Sequence, residues 1–488
     1  MPEHAVDLPI PSEHLQLHNG TREAAPGPEY VTGGTQWSYA LSLPIALPAV
    51  SDDTRAVISV RVRVVAGHIG VGILDASLQR YISPETDVVG AGRDVSIDLT
   101  VDSGEAAGHL MIRNTGDGSA ARFRLVGLTM AVQSVDRRLL IDTAPPPVPL
   151  HVHASPPCTG IFDVLVSHSS RKWNAAQCEQ AYLRERYARP GRLEQLPPFE
   201  SLPPNTAPYF GLLSMLRVEL SPAGVRGRIL NHYRSDEKIV HAAIVGSSLV
   251  VCFDAGLAVV PVETGDSGLR FSADRFERIT DPWFGGLHTV MAADDRTCLV
   301  SSSGADAILW VDLADRKVVR RWRLPAERYG DNYPLTESTD LREHYIPNDL
   351  QLGHLNCATP DGHGGAYYSV LGQGDIGHVD ASGTSDTLVS GYVGCHGVRF
   401  ENDRVYFSES CTGRLIQVQG HNRAAPLYET GSRWLHDSVH LADGVFLLAL
   451  GDANRLVLVD GQRRQLLAEW DFAGAEGTVQ FLSVVPPG

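Results

Sequence analysis

The chain has 488 residues, 43% of them hydrophobic and 20% charged, with a formal net charge of −16. That charge excludes the clustered basic face a nucleic acid needs, and there is no run of about 18 apolar residues to cross a membrane. Seven cysteines without CxxC spacing exclude a disulfide framework. They read as reduced thiols and, with no secretory leader in MPEHAVDLPIPSEH, point to a cytoplasmic protein.

Residues 1–30 are polar and Pro-rich and are expected to form a loose N-terminal arm. Residues 31–135 carry alternating runs, clearest in the Val-Arg-Val-Arg-Val stretch at 60–64, whose period of two is that of a half-buried antiparallel strand. Short strands broken by Gly, Asp and Ser turns predict a β-sandwich domain. In architecture it resembles the jelly rolls of carbohydrate-binding modules. Residues 136–157 include the Pro-rich TAPPPVPLHVHASPP, read as a semi-rigid linker with His151 and His153 as solvated residues.

Residues 158–488 read as one β-propeller, which makes the fold class all-β: an N-terminal jelly-roll sandwich, then a propeller. Five units each open on a histidine, at His241, His288, His354, His396 and His436, spaced 47, 66, 42 and 40 residues apart. From each histidine to the closing Glu263, Asp312, Asp380, Gln419 and Asp460 the offsets are 22, 24, 26, 23 and 24 residues. Repeats of roughly 40–50 residues are propeller blades. The run from Thr478 to Pro486 resembles an innermost strand with nothing after it, while 160–170, 210–221 and 224–231 resemble outer strands that lack an inner one. Joining them closes the ring between the termini without an exposed edge. Six blades fit best, with five or seven open to one missed strand. Two insertions, 171–207 with the helical NAAQCEQAYLRERYA and 323–350, are expected to cap the histidine end as lids.

In a closed radial repeat, equivalent positions converge on the axis. Neutral imidazole suits Fe, Cu, Zn or Mn, and rigid inner strands hold ligand geometry well. His288, His354, His396 and His436 are therefore candidate ligands of a transition metal, Fe foremost. His241, in the most degenerate blade, is the candidate proton-transfer residue, with Asp437 beside His436 and Gln480 at the sixth axial position as further catalytic candidates. Asn356, Glu409 and Asp437 are expected to orient the ligating rings. Cys395, next to His396, is expected to face away from it. GQGDIG at 372–377 reads as a hairpin turn, because no helix follows it.

The segments GHLNCATPDG (353–362), GCHGV (394–398) and WLHDSV (434–439) resemble two groups of propellers. One group holds an axial metal by histidines from successive blades, as carotenoid oxygenases and the amidating peptide lyase do. The other is an uncharacterised bacterial propeller family. The resemblance implies an axial metal on some of His288, His354, His396 and His436. The chain is shorter than carotenoid oxygenases and has fewer blades, which argues against their substrates. The expected function is a metal-dependent oxidoreductase or lyase acting on a small organic or sugar-derived substrate, with no nucleic-acid or membrane partner. Two alternatives stand beside it. One is a glycan- or partner-binding protein using a sandwich face around Trp37 and Tyr39. The other is a metal-free histidine-dependent transferase resembling propeller arylsulfotransferases.

Overall fold

A computed structural model describes the chain except residues 1–5, 9–13, 25–28, 36–37, 49–53, 79–80, 84, 91, 102–105, 117–118, 135–138, 170–210, 236, 266–267, 272–274, 331–334, 337–338, 343–350, 476 and 487–488. Two compact units result, one within Met1–Arg137 and the other of Arg138–Asn205 with Tyr209–Gly488.

In the first unit the eight strands from Glu29–Val31 to Arg122–Ser134 divide between two antiparallel sheets. Numbered in chain order, they run 1-8-3-6 in one sheet and 2-7-4-5 in the other, the double Greek key of a jelly roll. Val60, Val62 and Val64 point into a core shared with Leu41, Leu43 and Ile45 of the opposite sheet, while Arg61 stays outside. That division is the period-two pattern made physical. Trp37 lies outside the described residues.

The second unit is a ring of six antiparallel sheets. Blades 2 to 6 each open, in chain order, on an innermost strand: Ile239–Val245, Leu287–Ala292, Leu355–Pro360, Cys395–Glu401 and Leu435–Ala442. Blade 1 is composite. Its innermost strand is the C-terminal Thr478–Val484, paired with Gly160–Ser169 from Val164↔Val484 to Ser169↔Thr478, followed outward by Gly211–Ser221 and Gly224–Ser235. Each innermost strand packs on that of the next blade, and the C-terminal strand touches those of blades 6 and 2. Six blades closed by strand exchange are what the sequence pattern predicts.

The Pro-rich segment differs from the linker expected there. Ile141–Asp142 adds an outer strand to blade 1, and Leu150–Val152 adds one to blade 6 through Leu150↔Trp470. Short extended pieces between prolines can still pair at a sheet edge, where proline's missing N–H faces outward. This segment therefore belongs to the propeller's own sheets. Residues 171–207, with the expected helix, lie outside the described residues. Of 323–350, the single helical turn Ala326–Tyr329 is anchored by Tyr329 and Arg328 on Asp375, and Leu341 is buried against blade 3.

Closure of the ring centres on the main chain of one residue, Leu482. The N–H of Leu482 donates to Asp437 Oδ2 at 2.8 Å, and its carbonyl accepts from Arg399 Nη2 at 2.8 Å and His241 Nε2 at 3.1 Å. Arg399 and Asp437 are 3% and 0% exposed and form an ion pair. The guanidinium also donates to the Ser438 carbonyl. Blades 2, 5 and 6 thus all grip the last strand of blade 1. Breaking one partner of a fully buried pair strands the other charge, so Asp437→Ala is expected to cost about 3–5 kcal/mol in urea unfolding. An Arg399→Met, Asp437→Leu double variant is expected to recover much of that loss.

Candidate active site

Every blade has a register shift between its innermost strand and the neighbour. In the five histidine blades these lie at Ile239/His241, Leu287/Val290, Leu355/Cys357, His396/Arg399 and Leu435/Asp437. A bulge inserts an extra residue and turns its side chain out of the alternating pattern. His288 and His436 fall inside these shifts, His241 and His396 keep paired positions at their edges, and His354 stands just before its strand. Local backbone serves the same end: Gly286, at φ +58°, leads into His288, and His354 itself stands at φ +54°. A left-handed non-glycine costs about 1 kcal/mol, and His354 holds that conformation against the local preference. Gly397, at φ +52°, leaves room for Asp437, whose Oδ1 would lie 2.3 Å from a Cβ there.

The ring of histidines resolves into two pairs around a hydrophobic plug. His288 and His354 cross edge-on with centroids 4.9 Å apart and Nε2 atoms 3.2 Å apart. His396 and His436 cross edge-on at 5.0 Å, beside Trp434. Phe481, from the C-terminal strand, lies 4.6 Å from His436, 5.5 Å from His241 and 6.5 Å from His288. His288 Nδ1 donates to the Gly286 carbonyl at 2.9 Å, so its Nε2 carries a lone pair and receives the N–H of His354. His396 Nδ1 bonds Ser410 Oγ at 2.8 Å. His436 Nδ1 is buried with no hydrogen-bond partner.

Burial governs the charge of these rings. It pushes His288 down to about 4 and His436 down to about 3, and it holds His396 well below the ordinary imidazole range. A charge on His288 further disfavours charge on His396 and His436, which makes the two pairs electrostatic neighbours. Lys238, ion-paired with Asp254 at 3.0 Å, acts on His288 and His436 in the same direction. His288, His396 and His436 are therefore neutral at physiological pH.

Several sequence candidates take other places. His241 accepts the Val290 N–H on Nδ1 at 3.0 Å and donates from Nε2 to Leu482, so both its nitrogens serve the main chain. Asp437 serves Arg399, Ser438 and Leu482, not a histidine. Gln480 is half-buried, and its strand reaches the histidines through Phe481. Asn356 bridges the Cys395 carbonyl and Ser369, and Glu409 holds the Val393 N–H, Thr412 and Arg414. The ring-orienting groups are instead the Gly286 carbonyl, Ser303 and Ser410. Both serines occur in turn-forming stretches after the second strands, a place where sequence marks only a turn. Cys395 packs in the apolar cluster with Cys357 and Phe407, away from the rings. Cys411 lies in the 3-10 turn Ser410–Thr412.

Among the described residues, no three His, Cys, Asp or Glu side chains stand close enough to share one metal ion. The facing Nε2 atoms of His288 and His354 make a two-donor set, one short of the three protein ligands of a catalytic zinc.

No family model matches the chain, and no curated protein matches it. Solved structures similar to it are propellers or contain one. A nidogen/laminin complex has a TM-score of 0.42 and 9% identity over 67% of this chain and 99% of that one. Virginiamycin B lyase from Staphylococcus aureus has a TM-score of 0.34 and 11% identity over 53% and 80%. Regucalcin from Agrobacterium tumefaciens has 0.32 and 14% over 51% and 75%. At these values the likeness concerns fold only.

The depressed imidazoles link folding to pH. The unfolded chain binds protons on these residues near the ordinary value of about 6.5, and the folded chain does so only near 3 to 4. The unfolded state thus holds more protons between those limits, and stability must fall as pH drops below about 6.5, by up to about 1.4 kcal/mol per pH unit for each such histidine. Urea titrations at stepped pH are expected to show this slope, and His436→Gln to reduce it by about one proton.

Proposed function

We propose that the axial histidines form the active site of a lyase that performs β-elimination on a small organic or sugar-derived acid. The observation that carries this reading is the facing of a bare Nε2 on His288 and an N–H-bearing Nε2 on His354 at 3.2 Å. A substrate that parts this hydrogen bond meets a base on one side and a hydrogen-bond donor on the other. His288 Nε2 takes the proton from the carbon next to the substrate carboxylate. The C–H electron pair becomes the new C=C bond as the β C–O bond breaks, and the leaving oxygen, held by a hydrogen bond from His354 Nε2–H, takes its proton from solvent. His288 then releases its proton to solvent, and atoms and charge balance.

The low affinity of these rings for protons bears on the substrate class. An imidazolium is disfavoured in this dry cluster, so the substrate itself must supply compensating negative charge. A carboxylate does so, and Lys238 beside the cluster offers it a counter-charge. The Gly286 carbonyl fixes the tautomer of His288 and stabilises its charged form. His396 and His436 line the same axis as neutral donors and acceptors, and Trp434 and Phe481 exclude water beside them.

A second reading follows from the same pair. A transition metal, Fe foremost with Zn, Cu or Mn as others, would be held by His288 and His354, because the His288 Nδ1–carbonyl bond is the arrangement that metal-ligating histidines adopt. Such an ion would supply Lewis acidity at the substrate oxygen.

Untagged protein incubated with a panel of hydroxy acids and glycosylated sugar acids is expected to generate the near-ultraviolet absorbance of a conjugated unsaturated acid. His288→Gln and His354→Gln, shown folded by circular dichroism, are each expected to lose about 10²-fold or more in kcat. Wild-type rates in both variants would sink the elimination mechanism. One equivalent of metal, lost in a still-folded His288→Ala protein, would instead establish the second reading. Tight binding of a panel acid without turnover would favour a binding protein.

A further inference from the structure

A cavity of about 240 Å³ opens between blades 5 and 6. His436 stands near the start of the innermost strand of blade 6, and the cavity lies at that strand's other end, beside His440 and the turn after Ala442. Blade 5 lines it from its second, third and fourth strands with Tyr406, Gln417 and Leu427, and blade 6 from its first two strands with His440 and Phe446. Tyr406 stands directly opposite Gln417, and His440 directly opposite Phe446. Period-two alternation sends Arg404 and Tyr406 to the blade 6 side of their strand, and Val405 to the cluster shared with blade 4. The turns at Asn402, Asp443 and Gln462 form the rim.

The floor of the cavity is fixed by ring packing. Tyr406 and His440 stack with centroids 6.2 Å apart and planes 12° from parallel, and Phe446 lies 5.1 Å from the first and 4.9 Å from the second. His440 Nε2 accepts the Gly444 N–H at 3.3 Å, so the ring proton is on Nδ1, which donates to Glu401 Oε2 at 3.1 Å. Both nitrogens of His440 are thereby used within the protein, and the ring offers the cavity carbon alone. Gly461 keeps the blade 6 wall low, because a Cβ there would lie 3.3 Å from the Phe446 ring.

Above this floor stand polar groups that the protein itself leaves open. Tyr406 is only 5% exposed, yet its hydroxyl makes no hydrogen bond with any described residue and is not enclosed, so it opens into the cavity. The side-chain amides of Asn402, Gln417 and Gln462 and the guanidinium of Arg404 also make no hydrogen bond with a described residue. Each amide carries an acceptor beside its donors, and the hydroxyl is both at once. Arg404 and Asp443 bring opposite charges to the rim, which leaves it without net charge.

We propose that this cavity binds one ring of an uncharged sugar. Every hydroxyl of a sugar is donor and acceptor together, which side-chain amides and a tyrosine hydroxyl match and a simple ion does not. The planar fork of Arg404 spans two adjacent hydroxyl oxygens, Tyr406 and Gln417 meet the edge of the ring that enters deepest, and its C–H face rests on Phe446 and Leu427. The volume is below that of pockets for drug-sized ligands, which limits the occupant to a single ring. A charged ligand would find no net counter-charge at a rim whose own charges cancel. The sugar is held at the opposite end of the blade from the axial histidines, so the site serves recognition and not turnover.

The probes are D-glucose, D-galactose and D-mannose, each titrated into the full-length protein and followed by saturation-transfer difference NMR. Saturable transfer to at least one of them is expected. Tyr406→Phe removes one oxygen and keeps the packed ring, and Gln417→Leu removes the amide at nearly constant volume. Each is expected to weaken binding about fivefold or more, and the double variant to abolish saturable transfer. L-Alanine, a zwitterion able to span Arg404 and Asp443, is expected not to displace the sugar. The methyl glycoside of the binding sugar distinguishes the end of a glycan, for which it binds as well, from a free sugar, which it replaces poorly. His288→Gln is expected to leave the affinity unchanged, so this site stands or falls apart from the axial one. The proposal is overturned if none of the three sugars shows saturable transfer, or if both single variants, folded by circular dichroism, bind like the wild type. It is equally overturned if L-alanine competes at equal concentration or if His288→Gln abolishes binding.

Discussion

The main chain of Leu482 is the point on which the propeller depends. A ring of blades made from one chain must be closed by a join between its ends, and a strand pair at that join has no covalent neighbour to hold its register. Here the last strand gains grips beyond its own sheet. Asp437 takes its N–H, and Arg399 and His241 take its carbonyl, each from a different blade. The Arg399–Asp437 pair is fully buried, so its charges are tolerable only while every donor and acceptor is satisfied. That requirement makes closure specific: a register slip of one residue would leave a guanidinium and a carboxylate unpaired in the core.

The same closure shapes the candidate active site. Phe481, next to the clasped Leu482, is thereby driven between His241, His288 and His436. It splits the histidines into two pairs and dries them. With this plug, the rings stay neutral, one pair faces nitrogen to nitrogen, and His241 is withdrawn into structural work. Strand closure, the electrostatics of the site and the pairing of the histidines are thus one physical problem.

Bulges connect the repeat to the chemistry. A regular strand would send alternate residues to alternate faces of the blade and leave the axis lined by backbone. The register shift beside each histidine breaks that alternation at the inner end. Gly286 and the left-handed His354 show the backbone geometry this takes. Ser303 and Ser410, from the turns after the second strands, then hold the re-aimed rings. Buried polar pairs of this kind recur away from the axis, in the His168–Ser214–His232 chain.

By itself the sequence determined the architecture. Period-two alternation at residues 60–64 marked the sandwich strands, the spacing of five histidines marked the blades, and the orphan inner strand at 478–486 marked the closure, because all three are local patterns of burial and repeat length. It also named the histidines that meet on the axis. What each histidine does was decided only in three dimensions. Whether an imidazole is a base, a ligand or a brace depends on what its two nitrogens touch. Those partners are the Gly286 carbonyl, the Val290 N–H, the Leu482 carbonyl and the serines 303 and 410, brought in by folding from 2 to 241 residues away. Asp437 lies next to His436 in sequence, yet an intervening bulge and the pull of a buried Arg399 turn it to another task. The Pro-rich stretch around residue 150 reads as a linker because an edge pairing of two or three residues has no periodic signature; only the open edges of blades 1 and 6 made it a strand.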